Sequence, residues 1–331
     1  MRIFLLPIEP IELRYSAQWH RWFSAKLAAH GEVVVVNGQR LRDGIVEGQF
    51  LDVVDTHHYK STQLAAFMRL YHEGAVEAGD AVLLLDGWSP SVTALAYVRD
   101  LGSVPFRIGA LFHAGAYDPW DFLGRNYRVA HWAGHIERGW LTALDYVFVS
   151  TYYHARLLRE ERGSHNVRVV PFPLYPDEWA DAAQPWATRP RRVVWPHRIA
   201  AEKDPDEWAW IRRAYEIAYP EDPVEWVRTK DHCTTKADYY RMLGSSRVVV
   251  STAHQETWGI AMLEGATLGA YPVAPNRLSY PELFPRSLYS SRDEAVARIR
   301  EGLDRTAPFV YDASVNEASI GAIARELRGH V

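Results

Sequence analysis

Short apolar runs alternate with longer amphipathic stretches along this chain, the rhythm of strands and helices taken in turn. In the first half, apolar runs at 2–8, 33–36, 81–85, 106–112, 146–149 and 167–171 read as buried strands bounded by polar residues. Between them lie a helix at 16–30, with Gly31 as its C-cap, and helices at 91–101, 128–142 and 152–161. An apolar run at 50–54 and the segment THHYKST (56–62) lead into a further helix ending near Glu73. Strand and helix alternating in this way predict a parallel sheet of the α/β class.

The stretch 172–190, FPLYPDEWADAAQPWATRP, carries four prolines and no period, and reads as an interdomain linker. Beyond it the rhythm resumes. Strands fall at 193–195, 224–228, 248–250, 270–274 and 287–289, with helices at 204–218, 236–243 and 292–304. A further helix of about ten residues is expected from Trp258 or Gly259. A last helix near 313–329 is expected to cross back to the first domain. A length of 331 residues suits two domains, placed at 1–171 and 191–310, with the tail at 311–331.

With 48% hydrophobic and 24% charged residues the chain is of the soluble globular kind. No run of eighteen apolar residues occurs, so no membrane span is expected. In MRIFLLPIEP the apolar run stops at Glu9 and Pro10, so the segment reads as a strand and the protein as cytoplasmic. The single cysteine, Cys233, excludes an internal disulfide and a cysteine-cluster zinc site. Net charge is −4, and residues 1–150 hold 13 Lys+Arg against 16 Asp+Glu. That balance gives no overall basic footprint for nucleic acid, and leaves room only for a local patch. The 13 tryptophans read chiefly as core or interdomain filler, although sugars and bases also stack on such rings.

The chemistry gathers in 247–285. Glu256 and Glu264 lie eight apart, one in the loop after strand 248–250 and one inside the following helix. Glu264 stands among Ala261, Met262, Leu263, Ala266 and Leu268, so its carboxylate needs a fixed partner. Gly259 lets a ligand approach the first helical turn, where free N–H groups favour an anion. Thr257, Trp258 and Ile260 frame the same turn. The plainer reading is an amphipathic helix with one glutamate bound to backbone. After strand 193–195 come Arg198 and Lys203, two cations suited to a diphosphate. In the first half, Asp86 and His113 stand at carboxyl ends of strands, where parallel sheets gather ligands. Asp86 also reads as a turn or cap residue. The loop 114–126, AGAYDPWDFLGRN, is long and aromatic, and its Asp118 and Asp121 are candidates for an acceptor hydroxyl or for turns.

Glu256-x7-Glu264 with its Gly-Ile-Ala-Met-Leu filling resembles the donor-site motif of retaining glycosyltransferases of the two-Rossmann (GT-B) architecture, family 4 in particular. WPHR (195–198), EKDP (202–205), STAH (251–254), WGIAMLE (258–264) and YPELFP (280–285) are similar to glycosyltransferases that mannosylate queuosine in transfer RNA. IEPIELRYSAQW (8–19) and HAGAYDPWDFLGR (113–125) are more similar to glycosyltransferases of bacteriophages. The resemblance is specific over 191–290 and looser over 1–170. At 9–15, where many relatives carry a glycine-rich turn, this chain is rich in proline and charge.

The resemblance implies an α/β GT-B fold, two Rossmann-like domains facing across a cleft. It implies a retaining hexosyl- or pentosyltransferase, with a UDP- or GDP-sugar as donor and no other cofactor; no Asp-x-Asp signal falls on a strand end, so no essential metal is expected. Arg198 and Lys203 would hold the diphosphate, Glu264 the ribose, and Glu256 and His113 the sugar, while Arg228–Asp231 would face the base. Both groups of relatives point to a nucleic-acid acceptor. A hydroxymethylated pyrimidine in phage DNA is favoured, with Asp118 near the acceptor and Tyr117, Trp120 and Phe122 stacking a flipped base beside Arg125 and Arg128. A modified tRNA base, a small molecule or a glycan stay open, as does a non-catalytic sugar-nucleotide-binding protein. The oligomeric state is not read from the sequence.

Overall fold

A computed structural model describes residues 1–12, 14–42 and 52–329. They fall into two compact units. The first comprises Met1–Ser150, His154–Pro173 and Ala318–Val331, and the second Thr151–Tyr153 and Leu174–Glu317.

In chain order the first half runs β1 (Arg2–Leu6), α1 (Tyr15–Leu27), β2 (Glu32–Val35), α2 (Val53–His72), β3 (Ala81–Leu84), α3 (Ser91–Leu101) and β4 (Arg107–Leu111). It continues with α4 (Phe122–Arg125), α5 (Tyr127–Ala143), β5 (Tyr146–Val149), α6 (Tyr152–Arg162) and β6 (Val167–Val169). The strands pair in parallel in the order β2-β1-β3-β4-β5-β6. All four residues of β3 are buried, as a strand covered on both faces requires. Helix α2 absorbs THHYKST, which the sequence placed ahead of the helix. Asp52 caps it by accepting from the Asp55 amide at 3.1 Å, and Asp55 is itself ion-paired to Arg40 at 2.7 Å. Phe50 and Leu51 lie outside the described residues.

The second half runs β7 (Arg192–Trp195), α7 (Pro205–Ala218), β8 (Glu225–Arg228), α8 (Thr229–His232), α9 (Lys236–Gly244), β9 (Val248–Val250) and α10 (Ile260–Thr267). Then come β10 (Tyr271–Pro275), α11 (Tyr280–Leu283), β11 (Leu288–Tyr289), α12 (Arg292–Leu303), α13 (Ser314–Glu317) and α14 (Ser319–Arg328). The strand order is β11-β10-β9-β7-β8, again all parallel. Trp195, Trp208, Tyr215, Val248 and Ile299 build the core beneath it.

Two further stretches differ from the sequence reading. Residues 174–190 are packed into the second unit, where the sequence suggested a free linker: Trp179 stacks on Tyr240 with ring centroids 4.8 Å apart, and buried Arg189 donates to the carbonyls of Ser246 and Leu268. The final helix is broken at Ala318 into α13 and α14. α14 belongs to the first unit, packing on α1, β4 and β5 through Ile320, Ile323, Ala324 and Leu327. Gly109 makes that packing possible, since a Cβ there would stand 2.7 Å from Leu327 Cδ2.

Each sheet reverses its order once, between β1 and β3 and between β7 and β9. Loops leaving such neighbours diverge and open a crevice at the carboxyl ends of the strands. No helix among the described residues is long and apolar enough to cross a membrane.

Candidate active site

In the second unit the loops after β7 and β9 meet at the switch point. Lys203 is buried, and its ammonium donates to the Gln255 carbonyl at 2.6 Å and to Glu256 Oε2 at 3.3 Å. Burial opposes the charge on Glu256, but the Lys203 ammonium and the amides of Gly259 and Trp258 outweigh it and hold the carboxyl below its ordinary range. The Trp258 N–H reaches Glu256 Oε1 at 3.3 Å. Arg198 is ion-paired with the buried Glu202 and keeps part of its guanidinium exposed. His197 lies 2.8 Å from Ser251 Oγ, and burial followed by the Lys203 charge lowers its pKa to about 3, so it is neutral.

Gly259 occupies the position before α10 at φ 81°, a left-handed conformation in which a side chain is strained. A Cβ there would meet Leu283 Cδ1 at 3.1 Å. Thr257 and Trp258 are buried beside it, and Ile260 opens the helix. Within α10, Glu264 is 2% exposed. Its Oε1 accepts from Lys236 Nζ at 2.8 Å and from the Tyr240 hydroxyl at 2.9 Å, and its Oε2 accepts from the Tyr239 hydroxyl at 2.8 Å. All three donors come from α9. The sequence required a partner for Glu264 without identifying it; in hindsight the spacing of Lys236, Tyr239 and Tyr240, at i, i+3 and i+4, placed them on one helical face.

In the first unit the switch point carries a different polar set. Lys60 of α2 donates to Asp86 Oδ2 at 2.6 Å and to the Trp88 carbonyl at 2.8 Å. Burial raises the Asp86 carboxyl, but Lys60, His113 and the Trp88 amide bring it below its ordinary value. Asp86 therefore makes a turn contact as well, accepting from the Trp88 amide at 3.1 Å. Glu9, from the loop after β1, is buried and accepts from Thr56 Oγ1 at 2.6 Å. His113 Nε2 lies 2.6 Å from the Leu85 carbonyl, which only accepts, so the proton sits on Nε2 and Nδ1 faces the Tyr15 hydroxyl at 3.5 Å. Burial lowers the His113 pKa against the pull of Asp86. The sequence found Asp86 and His113 from strand ends, and missed Lys60 and Glu9.

The loop 114–126 is more ordered than its sequence suggested. Asp118 Oδ1 accepts from the Trp120 amide at 2.9 Å, and Asp121 caps α4 through the Leu123 amide at 2.9 Å. Both carboxylates are buried and organise turns. Tyr117 corrects the expected stacking platform: it is 3% exposed, with its hydroxyl 2.6 Å from His154 Nε2, and is not available to a base. Phe122 is half-buried, and Trp120, Arg125 and Arg128 are exposed. Arg228 is paired with Asp231 at 2.7 Å, on α8 and the strand end before it. Among the described residues no group of three or more His, Cys, Asp and Glu is arranged to hold a metal ion.

Two parallel α/β units with polar switch points of this kind define the GT-B glycosyltransferase fold, and solved structures agree. Sucrose-phosphate synthase from Thermosynechococcus elongatus aligns with a TM-score of 0.62 at 13% identity, over 99% of this chain and 94% of that one. A trehalose-6-phosphate structure from E. coli bound with UDP-2-fluoro glucose aligns with a TM-score of 0.61 at 11% identity, over 100% of both chains. Among curated proteins, a tRNA-queuosine alpha-mannosyltransferase of Drosophila melanogaster is 30% identical over 129 residues, a stretch covering 32% of this chain. The match spans 34% of that protein, about a third of its length. No protein-family model matches the chain.

Proposed function

We propose that this protein transfers a sugar, with retention, from a nucleoside diphosphate to a hydroxyl on a nucleic-acid base, a hydroxymethylated pyrimidine of DNA. The observation that carries the transferase reading is the cluster of Lys203, Arg198, Glu256 and Gly259 at the switch point of the second sheet. In the reaction the bond from the anomeric carbon to the diphosphate oxygen breaks. A bond from that carbon to the acceptor oxygen forms, and the hydroxyl proton passes to the departing diphosphate. Negative charge grows on the leaving group, and cations placed in advance lower that barrier without a metal. An ammonium has three donors; Lys203 uses two on the protein, which leaves one for phosphate. Glu264 receives three donors, and a carboxylate has about four acceptor positions, which leaves one for a ribose hydroxyl. Glu256 would hold sugar hydroxyls. His113 would contribute to the sugar site, and Asp118 would shape the acceptor loop.

The acceptor reading rests on the sequence resemblance of the first half to phage glycosyltransferases. A second reading, a modified base in transfer RNA, is favoured by the Drosophila match. Thermal-shift screening against UDP-, GDP- and ADP-sugars identifies the donor, because a ligand of the folded state raises Tm in proportion to ln(1+[L]/Kd). The matched donor is then offered with hydroxymethylated DNA, unmodified DNA, bulk tRNA and simple sugars, and the digested nucleosides are weighed. One sugar added to the hydroxymethylated nucleoside alone supports the reading. Sugar on tRNA selects the second one, and transfer only to free sugars removes both.

A further inference from the structure

The outer face of α5 is charged with one sign. Between Phe122 and Ala143 the only acid is Glu137, and it is buried, bonded to Arg162 at 2.7 Å, to Trp88 Nε1 at 2.9 Å and to the Ala116 amide at 2.6 Å. Arg128, His131, Trp132, His135, Ile136 and Arg138 are exposed, and their three-and-four spacing puts them on one side of the helix. At the start of the helix, Tyr127 is 76% exposed and the Arg128 guanidinium lies 5.7 Å from its ring centroid. Trp132 is 41% exposed, with its inner edge tilted against Trp88, which fixes the ring on the surface. Trp132 and Ile136, one helical turn apart, are both exposed, so the apolar surface here is more than a single scattered side chain.

We propose that this face of α5 is a docking surface for the DNA strand that carries the acceptor base; it rests on the DNA reading above. Arginines without an exposed acid between them match a phosphate backbone, and the exposed rings of Tyr127 and Trp132 beside them match bases. A membrane surface would call for a broad aliphatic face, and Ile136 is the single exposed aliphatic side chain on this one. The acidic balance of the first half does not extend to this face, where residues 122–143 hold Arg125, Arg128 and Arg138 against one buried acid.

The test is fluorescence anisotropy of a labelled single-stranded oligodeoxynucleotide over a salt series, with melting curves to check that each variant folds. The whole protein is expected to bind, less tightly as salt rises. The Arg128→Glu/Arg138→Glu variant should flatten the plot of log affinity against log salt by about 1.4, two single-strand phosphate contacts. Trp132→Ala should weaken binding by about ten-fold at every salt concentration, as loss of one stacked base does. Arg212→Glu, an exposed charge change on α7, should bind as the parent does. Parent-like binding by the α5 variants, preference for RNA of the same sequence, or binding to anionic vesicles alone would each overturn the proposal. Oligonucleotide binding through α5 with no sugar found on any nucleic acid would leave the docking surface standing and remove the acceptor reading. Sugar on DNA with parent-like α5 variants would do the reverse.

Discussion

The ammonium of Lys236 lies 2.8 Å from Glu264 Oε1, so the carboxylate at the centre of α10 is held by the first residue of α9. Lys236 also sits 4.9 and 4.8 Å from the ring centroids of Tyr239 and Tyr240, whose hydroxyls complete the set. The carboxylate is buried and its cation is only partly covered. Lys236→Met therefore leaves a buried charge without its counter-ion. Fully buried pairs lose about 3–5 kcal/mol when one partner is removed, and the partial exposure of Lys236 brings the expected loss to about 2 kcal/mol in urea unfolding.

Glu264→Gln conserves volume and replaces a charged acceptor by a neutral one. We expect the donor Kd to rise about ten-fold, the scale of one charge-assisted hydrogen bond, in calorimetric titration. The chain should still fold. Unchanged donor affinity would mean that the ribose is held elsewhere.

If Arg198 and Lys203 hold the departing diphosphate as proposed, Arg198→Ala and Lys203→Ala should each lower kcat by on the order of a hundred-fold, since charge grows there in the transition state. Lys203→Ala should also lower Tm, since it strips Glu256 of its bonded cation. EDTA should have no comparable effect. Activity lost in EDTA and restored by magnesium or manganese would refute the metal-free reaction.

Acid should destabilise both units through their buried histidines. His154 and His197 are buried, and burial lowers each to about 3; in His197 the Lys203 charge adds to the effect. A depressed histidine leaves the unfolded chain binding the extra proton. Stability is then full above the unfolded pKa, near 6.5, and is lost as pH falls from there towards 3. Each histidine contributes a slope of about 1.4 kcal/mol per pH unit. His197→Asn should remove its share of the slope in denaturant unfolding over that window, and an unchanged slope would show that His197 is charged in the folded protein.

Gly259→Ala forces a side chain into the left-handed region against Leu283. A loss of about 1–2 kcal/mol in stability is expected, together with weaker donor binding, because the first turn of α10 must shift. Retained stability and affinity would show that the turn tolerates a Cβ.

The sequence by itself determined the two rows of parallel strands and the positions of Asp86, His113, Arg198, Lys203, Glu256 and Gly259 at their ends. Those features are local: a short apolar run between polar residues makes a buried strand, and the residues after it lie at its carboxyl end whatever surrounds them. Tertiary structure alone decided which partners Glu264 and Asp86 have. Glu264 is completed by residues 28, 25 and 24 positions away, and Asp86 by Lys60, 26 positions away. It also decided that Tyr117 is enclosed by His154 while Trp132 is exposed, and that 174–190 packs as part of a domain. Periodicity reports that a face is buried, but a polar group's partner is chosen by the geometry of separate elements brought together, and no local pattern encodes that meeting.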